Sequence, residues 1–148
     1  MSTIFTQIIN GEIPGNFVWA DEVAVAFGTI EPRSPGHMLV VPREEVDNFL
    51  DASPEIIEHC SRVAQIIGQA GRQAFGVPRA LIVVAGFDVP HLHIHVIPTA
   101  SMEVLSPESK LPSGPHTLRD NAQKIREALH ELGYGDNVPT AVCSPKLD

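Results

Sequence analysis

Three features of the sequence predict an α+β domain: an antiparallel β-sheet of about five strands, a long helix packed on it, and a further helix near the C-terminus. Short apolar runs rich in Val, Ile and Phe fall at 17–19, 23–27, 37–42, 80–85 and 91–98. One long helical pattern, 54–75, separates the first three runs from the last two. Strands that come in runs, without a helix after each, favour hairpins and antiparallel pairing. The length of 148 residues, 43% of them apolar, suits one domain with one full core. That domain is expected over residues 1–135, with 136–148 as a loose C-terminal tail.

Each element has a local reason. Ser2 or Thr3 can cap a short helix to about Asn10, because Ile4, Phe5, Ile8 and Ile9 recur at helical spacing. Gly11 stops it, and Pro14-Gly15 turns the chain. Residues 17–19 and 23–27 read as a hairpin. The loop 29–36 carries two prolines, and the apolar run 37–42 reads as a strand buried on both faces. A short helical turn is expected over 44–51. Ser53 as cap and Pro54 at the first position then open the long helix, which ends near Gly76. The run ALIVVA at 80–85 reads as a central strand and 91–98 as its neighbour. The Ser- and Pro-rich stretch 100–115 reads as a loop. Leu118, Ala122, Ile125 and Leu129 share one face of a helix over 117–132, stopped by Gly133.

Composition narrows the function. Eighteen acidic residues against ten basic give a net charge of −8, with no basic run. Nucleic-acid binding rests on clustered Lys and Arg that neutralise phosphates, so no nucleic-acid partner is expected. A small anion remains compatible, since backbone N–H groups can hold one phosphate. The two cysteines, Cys60 and Cys143, support neither a disulfide scaffold nor a four-cysteine zinc site. No basic, apolar leader and no run of about 20 apolar residues is present, so no membrane partner is expected and the cytoplasm is the default compartment.

Chemistry concentrates at HLHIHVIP, where His91, His93 and His95 alternate. In a strand, alternate residues share a face, which would set the three rings on one side and Leu92, Ile94 and Val96 in the core. With seven histidines in the chain, chance alone puts three in alternation in about one or two chains per hundred. A merely polar strand face would more naturally carry Thr, Lys or Glu. Two functional readings remain. Metal binding suits imidazole, but a rise of ~3.3 Å per residue spreads His91 and His95 about 13 Å along a strand, too far for three rings to meet one ion without further ligands. Nucleophilic catalysis suits the middle ring, because a neutral imidazole attacks near pH 7 and its neighbours can move protons. Such a nucleophile needs an acceptor, such as a backbone carbonyl, on its other ring nitrogen to fix the tautomer.

The segment HLHIHVIP resembles the signature of the histidine triad (HIT) family. IFTQIINGEIP, Asp21-Glu22, VAFGTIEP and PGHMLVVPRE resemble that family's earlier segments in order, so the resemblance runs over roughly residues 3–98. It implies a nucleotidyl hydrolase or transferase acting at the α-phosphate of a nucleotide conjugate, often a purine one. It also implies a homodimer, a small-molecule nucleotide substrate and no cofactor. On this resemblance His93 is the nucleophile that forms a nucleotidyl-histidine intermediate. His91 and His95 orient it, contact phosphate oxygens and assist proton transfer, and His37 supports the triad. Phe5, Ile8 and Phe27 match apolar positions around base and ribose, although Phe and Ile are also ordinary core residues. Thr29 stands where many members carry an acidic residue that binds the ribose hydroxyls.

The loop before the triad departs from the pattern. It is short and lacks Asn, and Phe87 and Asp88 occupy the positions of the usual phosphate contacts. Asp88 either bonds a histidine, raising its pKa, or caps the turn. Some members bind structural zinc through two N-terminal cysteines and a histidine after the third strand. Thr3, Thr6 and Glu45 stand there instead, so no metal site is expected. The leading expectation is hydrolysis of a phosphoramidate or adenylate, with dinucleoside polyphosphates as a close variant. A nucleotide- or partner-binding module with weak or no catalysis is the alternative from another class, and a metal-binding protein is the third.

Overall fold

The computed structural model describes residues 2–147. Its elements are α1 (Ile4–Ile9), β1 (Phe17–Ala20), β2 (Ala24–Gly28), β3 (Met38–Pro42), α2 (Pro54–Phe75), β4 (Arg79–Val83), β5 (Ile94–Thr99) and α3 (Pro115–Glu131). The strands form one five-stranded sheet in the order β1-β2-β3-β5-β4, with every pair antiparallel. This is the expected α+β architecture.

The cap chemistry works as read. The Thr3 hydroxyl accepts from the Thr6 N–H and Ser53 Oγ from the Ile56 N–H. Gly76 closes α2 at φ +63°, a left-handed conformation that costs glycine little. Alternation along the strands builds two cores. Ala24, Ala26, Met38, Val40, Ile94 and Val96 face α2 and α3, meeting Val63, Ile67, Ile125 and Leu129. Val25, Phe27, Leu39 and Val41 face the other way, with Phe17, onto Phe5 and Ile8 of α1. Strand β3 is therefore buried on both faces, as its apolar run predicts. Helix α2 lies close on β5: a Cβ on Gly71 would come within 2.6 Å of Pro98 Cγ.

Four expectations are corrected. The run 80–85 is not central, because β4 is the sheet edge and leaves Ile82 55% exposed. Residues 44–51 form bends and turns, with no helix. They run alongside the histidine segment, where the Val46 carbonyl accepts the Leu92 N–H at 2.7 Å. The loop after Ala100 contains two short 3₁₀ turns, Met102–Leu105 and Pro107–Ser109. The tail is not loose over its first half. Val138 is buried, the Phe17 N–H donates to the Val142 carbonyl at 2.7 Å, and the buried Arg126 guanidinium donates to the carbonyls of Phe17 (2.9 Å), Pro139 (2.5 Å) and Thr140 (3.3 Å).

Candidate active site

The histidine segment enters the sheet later than expected. Strand β5 begins at Ile94, so His95 lies in the strand while His91 closes the bend before it and His93 lies on the segment that joins the two. Leu92, Ile94 and Val96 are buried, as predicted. His95 sits opposite Leu39 of β3, on the α1 side of the sheet.

Each ring has a distinct hydrogen-bonding position. His91 has no exposed surface. Its Nε2–H donates to the Pro42 carbonyl at 2.7 Å, and its Nδ1 is 2.6 Å from the Thr3 hydroxyl, which donates to it. Both ring nitrogens are thus used inside the protein, which corrects the expectation that His91 contacts phosphate. What His91 offers the site is its backbone: the His93 Nδ1–H donates to the His91 carbonyl at 2.7 Å. A carbonyl can only accept, so the proton of neutral His93 is held on Nδ1 and the Nε2 lone pair is left free. Among the described residues His93 Nε2 has no hydrogen-bond partner. Among the described residues no buried side-chain nitrogen or oxygen lacks a partner, so the unpartnered Nε2 is open to solvent.

His95 is paired with His37. Their Nδ1 and Nε2 atoms are 2.9 Å apart, and His37 Nδ1 accepts the Arg33 backbone N–H at 3.1 Å. Because Arg33 N–H is a donor, neutral His37 carries its proton on Nε2 and gives it to His95 Nδ1. The His95 proton is then on Nε2, and the His95 ring lies 5.1 Å from that of His93, centroid to centroid. Burial pushes the His37 ring down to about 3, with the neighbouring His95 and Arg33 charges acting in the same direction. Burial likewise lowers His95 to about 4, helped by His93 and Arg33 and opposed by Asp88. Burial also lowers His91. The His37–His95 pair is therefore neutral at physiological pH, and which nitrogen holds each proton is set by the bonds just described. An exposed lone pair on one ring beside an N–H donor on the next can attack an electrophilic centre while hydrogen-bonding one of its substituents.

The other expected site residues are less uniform. Phe5, Ile8 and Phe27 are buried members of the core beneath α1. Of these, Phe5 also reaches the histidines, with its ring edge-on to His93 at 4.9 Å and to His91 at 5.8 Å. Thr29 is turned to its own loop, where its hydroxyl accepts the Glu31 N–H at 3.2 Å. Asp88 is exposed in the turn before the histidines and makes no hydrogen bond to any of them. Its charge favours protonation of His95, but burial of that ring outweighs it. Thr3, Thr6 and Glu45 do come together. The Thr3 N–H donates to Glu45 Oε1 at 2.8 Å, and the bonds from Thr6 and Thr3 hold the Glu45 carboxyl below its usual range. Among the described residues no group of three or more His, Cys, Asp or Glu side chains is placed to hold a metal ion. An open cleft of about 860 Å³ between Asn10, Asp21, Arg43 and Lys146 lies apart from the histidines and gathers none of them. Two contributors were not singled out from sequence: the Thr3 hydroxyl as the partner of His91, and Arg33.

A five-stranded antiparallel sheet that presents interlocked histidines at the start of one strand defines a histidine triad protein. The HIT domain pattern matches residues 10–102, and the chain belongs to the HIT family. An uncharacterised HIT-like protein of Methanocaldococcus jannaschii is 37% identical over 100 residues, spanning 64% of this chain and 77% of the relative. A zinc-bound histidine triad family protein of Mycobacterium smegmatis superposes with a TM-score of 0.78 at 25% identity, covering 91% of this chain and 98% of its own. A HIT family hydrolase of Legionella pneumophila superposes with a TM-score of 0.61 at 26% identity, covering 68% of this chain and 96% of its own.

Proposed function

We propose that the chain is a nucleotidyl hydrolase or transferase acting at the α-phosphate of a nucleoside monophosphate conjugate, a phosphoramidate or an adenylate. The observation that carries this reading is the 2.7 Å bond from His93 Nδ1 to the His91 carbonyl, which leaves the Nε2 lone pair free. His93 Nε2 attacks the α-phosphorus. A P–N bond forms as the bond to the leaving group breaks, and the leaving group departs with the electron pair and takes a proton from water. The His95 Nε2–H, fixed through His37, donates to a phosphate oxygen or to the departing atom. Water then attacks phosphorus and gives its proton to the hydroxide left in the first step, the P–N bond breaks and the lone pair returns to His93, releasing the nucleoside monophosphate. His91 positions His93. Phe5 lines the base side of the site, with Ile8 and Phe27 packed behind it, and Thr29, whose hydroxyl holds the Glu31 N–H, would meet the ribose only by releasing that bond.

Asp88 favours phosphoramidates and adenylates over dinucleoside polyphosphates. An exposed carboxylate whose charge acts on His95 repels a leaving group that brings further phosphates. The same carboxylate, with no Ser or Thr beside it to bind phosphate, supports the second reading, a nucleotide-binding module without turnover. Incubation with an adenosine phosphoramidate separates the two: AMP is released, His93→Ala abolishes release, and a mass spectrum of the quenched reaction finds the nucleotide on His93. AMP binding without turnover by the unaltered protein would instead establish the binding module.

We also propose a homodimer that joins two copies along β4. Strand β4 is an unpaired edge carrying the exposed Ile82, and Phe87 beyond it is 96% exposed. Exposed apolar edges of this kind are templates for pairing. Sedimentation should give a dimer mass that Ile82→Lys reduces to that of a monomer. A monomer in the unaltered protein would refute the interface.

A further inference from the structure

The loop after β5 is fastened to the loop that carries His37. Arg33 Nη1 donates to the Val104 carbonyl (3.1 Å), the Ser106 carbonyl (2.6 Å) and Ser109 Oγ (3.0 Å). Beside it, Lys110 Nζ meets Glu31 Oε2 at 2.7 Å and the Leu111 N–H donates to the Pro32 carbonyl at 2.8 Å. The far side of the same loop is held by Ser34 Oγ, which donates to the Pro98 carbonyl at 2.5 Å. Between these anchors the Arg33 backbone N–H points at His37 Nδ1. One residue therefore grips 104–109 with its side chain and sets the His37 proton with its main chain.

We propose that Arg33 is a positioning residue for the His37–His95 pair, its guanidinium clasp on 104–109 holding the backbone N–H that forces the His95 proton onto Nε2. Without that donor a second arrangement becomes available. His37 can carry its proton on Nδ1 and accept at Nε2 from His95 Nδ1–H, which leaves His95 Nε2 without a proton towards His93. The two arrangements place opposite groups, donor or acceptor, on the same atom of the site. The 3₁₀ turns Met102–Leu105 and Pro107–Ser109 thus support the histidines through Arg33. The importance of the His95 proton rests on the catalytic reading above, but the clasp itself can be measured without turnover.

The test is long-range ¹H–¹⁵N correlation NMR of the imidazole nitrogens at pH 7.5, in the unaltered protein, Arg33→Ala and Arg33→Lys. The unaltered protein should show His95 with Nε2 protonated and Nδ1 bare. In Arg33→Ala the His95 Nδ1 resonance should move towards the protonated range and His37 Nδ1 with it. His93, held by the His91 carbonyl, should keep its pattern. Arg33→Lys, whose ammonium can reach the same acceptors, should restore the original pattern. Ser109→Ala, which takes away one of the three acceptors and should fold in any event, should shift His95 in the same direction by less. Unchanged His37 and His95 resonances in Arg33→Ala would overturn the proposal, as would no rescue by lysine. No AMP release by the unaltered protein, with the expected NMR shifts present in the variants, would instead count against the catalytic reading alone.

Discussion

Acidification should destabilise this protein well before its carboxylates titrate. His37 and His95 are held near 3 and 4 in the folded chain, against about 6.5 once unfolded. The folded state keeps both rings neutral, while the unfolded chain takes up a proton on each as pH falls below about 6.5. Stability is therefore fully present above that pH and is lost as pH falls towards the folded values. Each proton bound only by the unfolded chain costs about 1.4 kcal/mol per pH unit. For two rings between pH 7.5 and 4.5 the sum is about 5 kcal/mol, and about 3–5 kcal/mol once their mutual interaction is allowed for. That is a large share of the ~5–15 kcal/mol typical of a domain. With a urea slope of about 2 kcal/mol per molar, the unfolding midpoint should fall by roughly 1.5–2.5 M over that range. His37→Gln should remove about half of the fall. A midpoint that is flat from pH 7.5 to 5, or an equal fall in the doubly substituted His37→Gln, His95→Gln chain, would refute the reasoning.

Thr3→Val keeps shape but removes the hydroxyl that donates to the buried His91 Nδ1 and caps α1. The unsatisfied acceptor and the lost cap together should cost about 2–4 kcal/mol in urea unfolding, with Thr3→Ser nearly neutral. Arg126→Met leaves the Phe17 and Pro139 carbonyls without their buried donor. It should cost about 2–4 kcal/mol and open the chain after Asn137 to limited proteolysis.

The parts of the fold that read clearly are those with local causes. Ser53, Pro54 and Gly76 mark both ends of α2 because caps act within a turn or two of themselves. Strand β4 misled because an apolar run is the same string whether it is buried or merely unpartnered. The tail misled for another reason. Arg126 holds it through backbone carbonyls, and a carbonyl is present at every residue, so the contact leaves no compositional mark. The same limit hid half of the candidate site. The alternation of His91, His93 and His95 was legible, but the burial of His91 and the donor from Arg33 arise only when distant backbone arrives. Thr3, Thr6 and Glu45 were grouped by family pattern, and they do cluster, yet the hydroxyl reaching His91 could not be read from that grouping.

The His91 carbonyl has a consequence for anyone who substitutes residues here. The acceptor that orients His93 belongs to the peptide chain, so no side-chain replacement at 91 can delete it. A scan that swaps residues one at a time would record His91 as a stability position and miss its contact with the neighbouring ring. Conversely, an engineered residue at 91 that fills the same buried space and satisfies the Thr3 and Pro42 partners should inherit the orientation of His93 without being a histidine at all. Of the three alternating imidazoles, the first is the one this architecture can most readily spare in kind, provided the path of its backbone is kept.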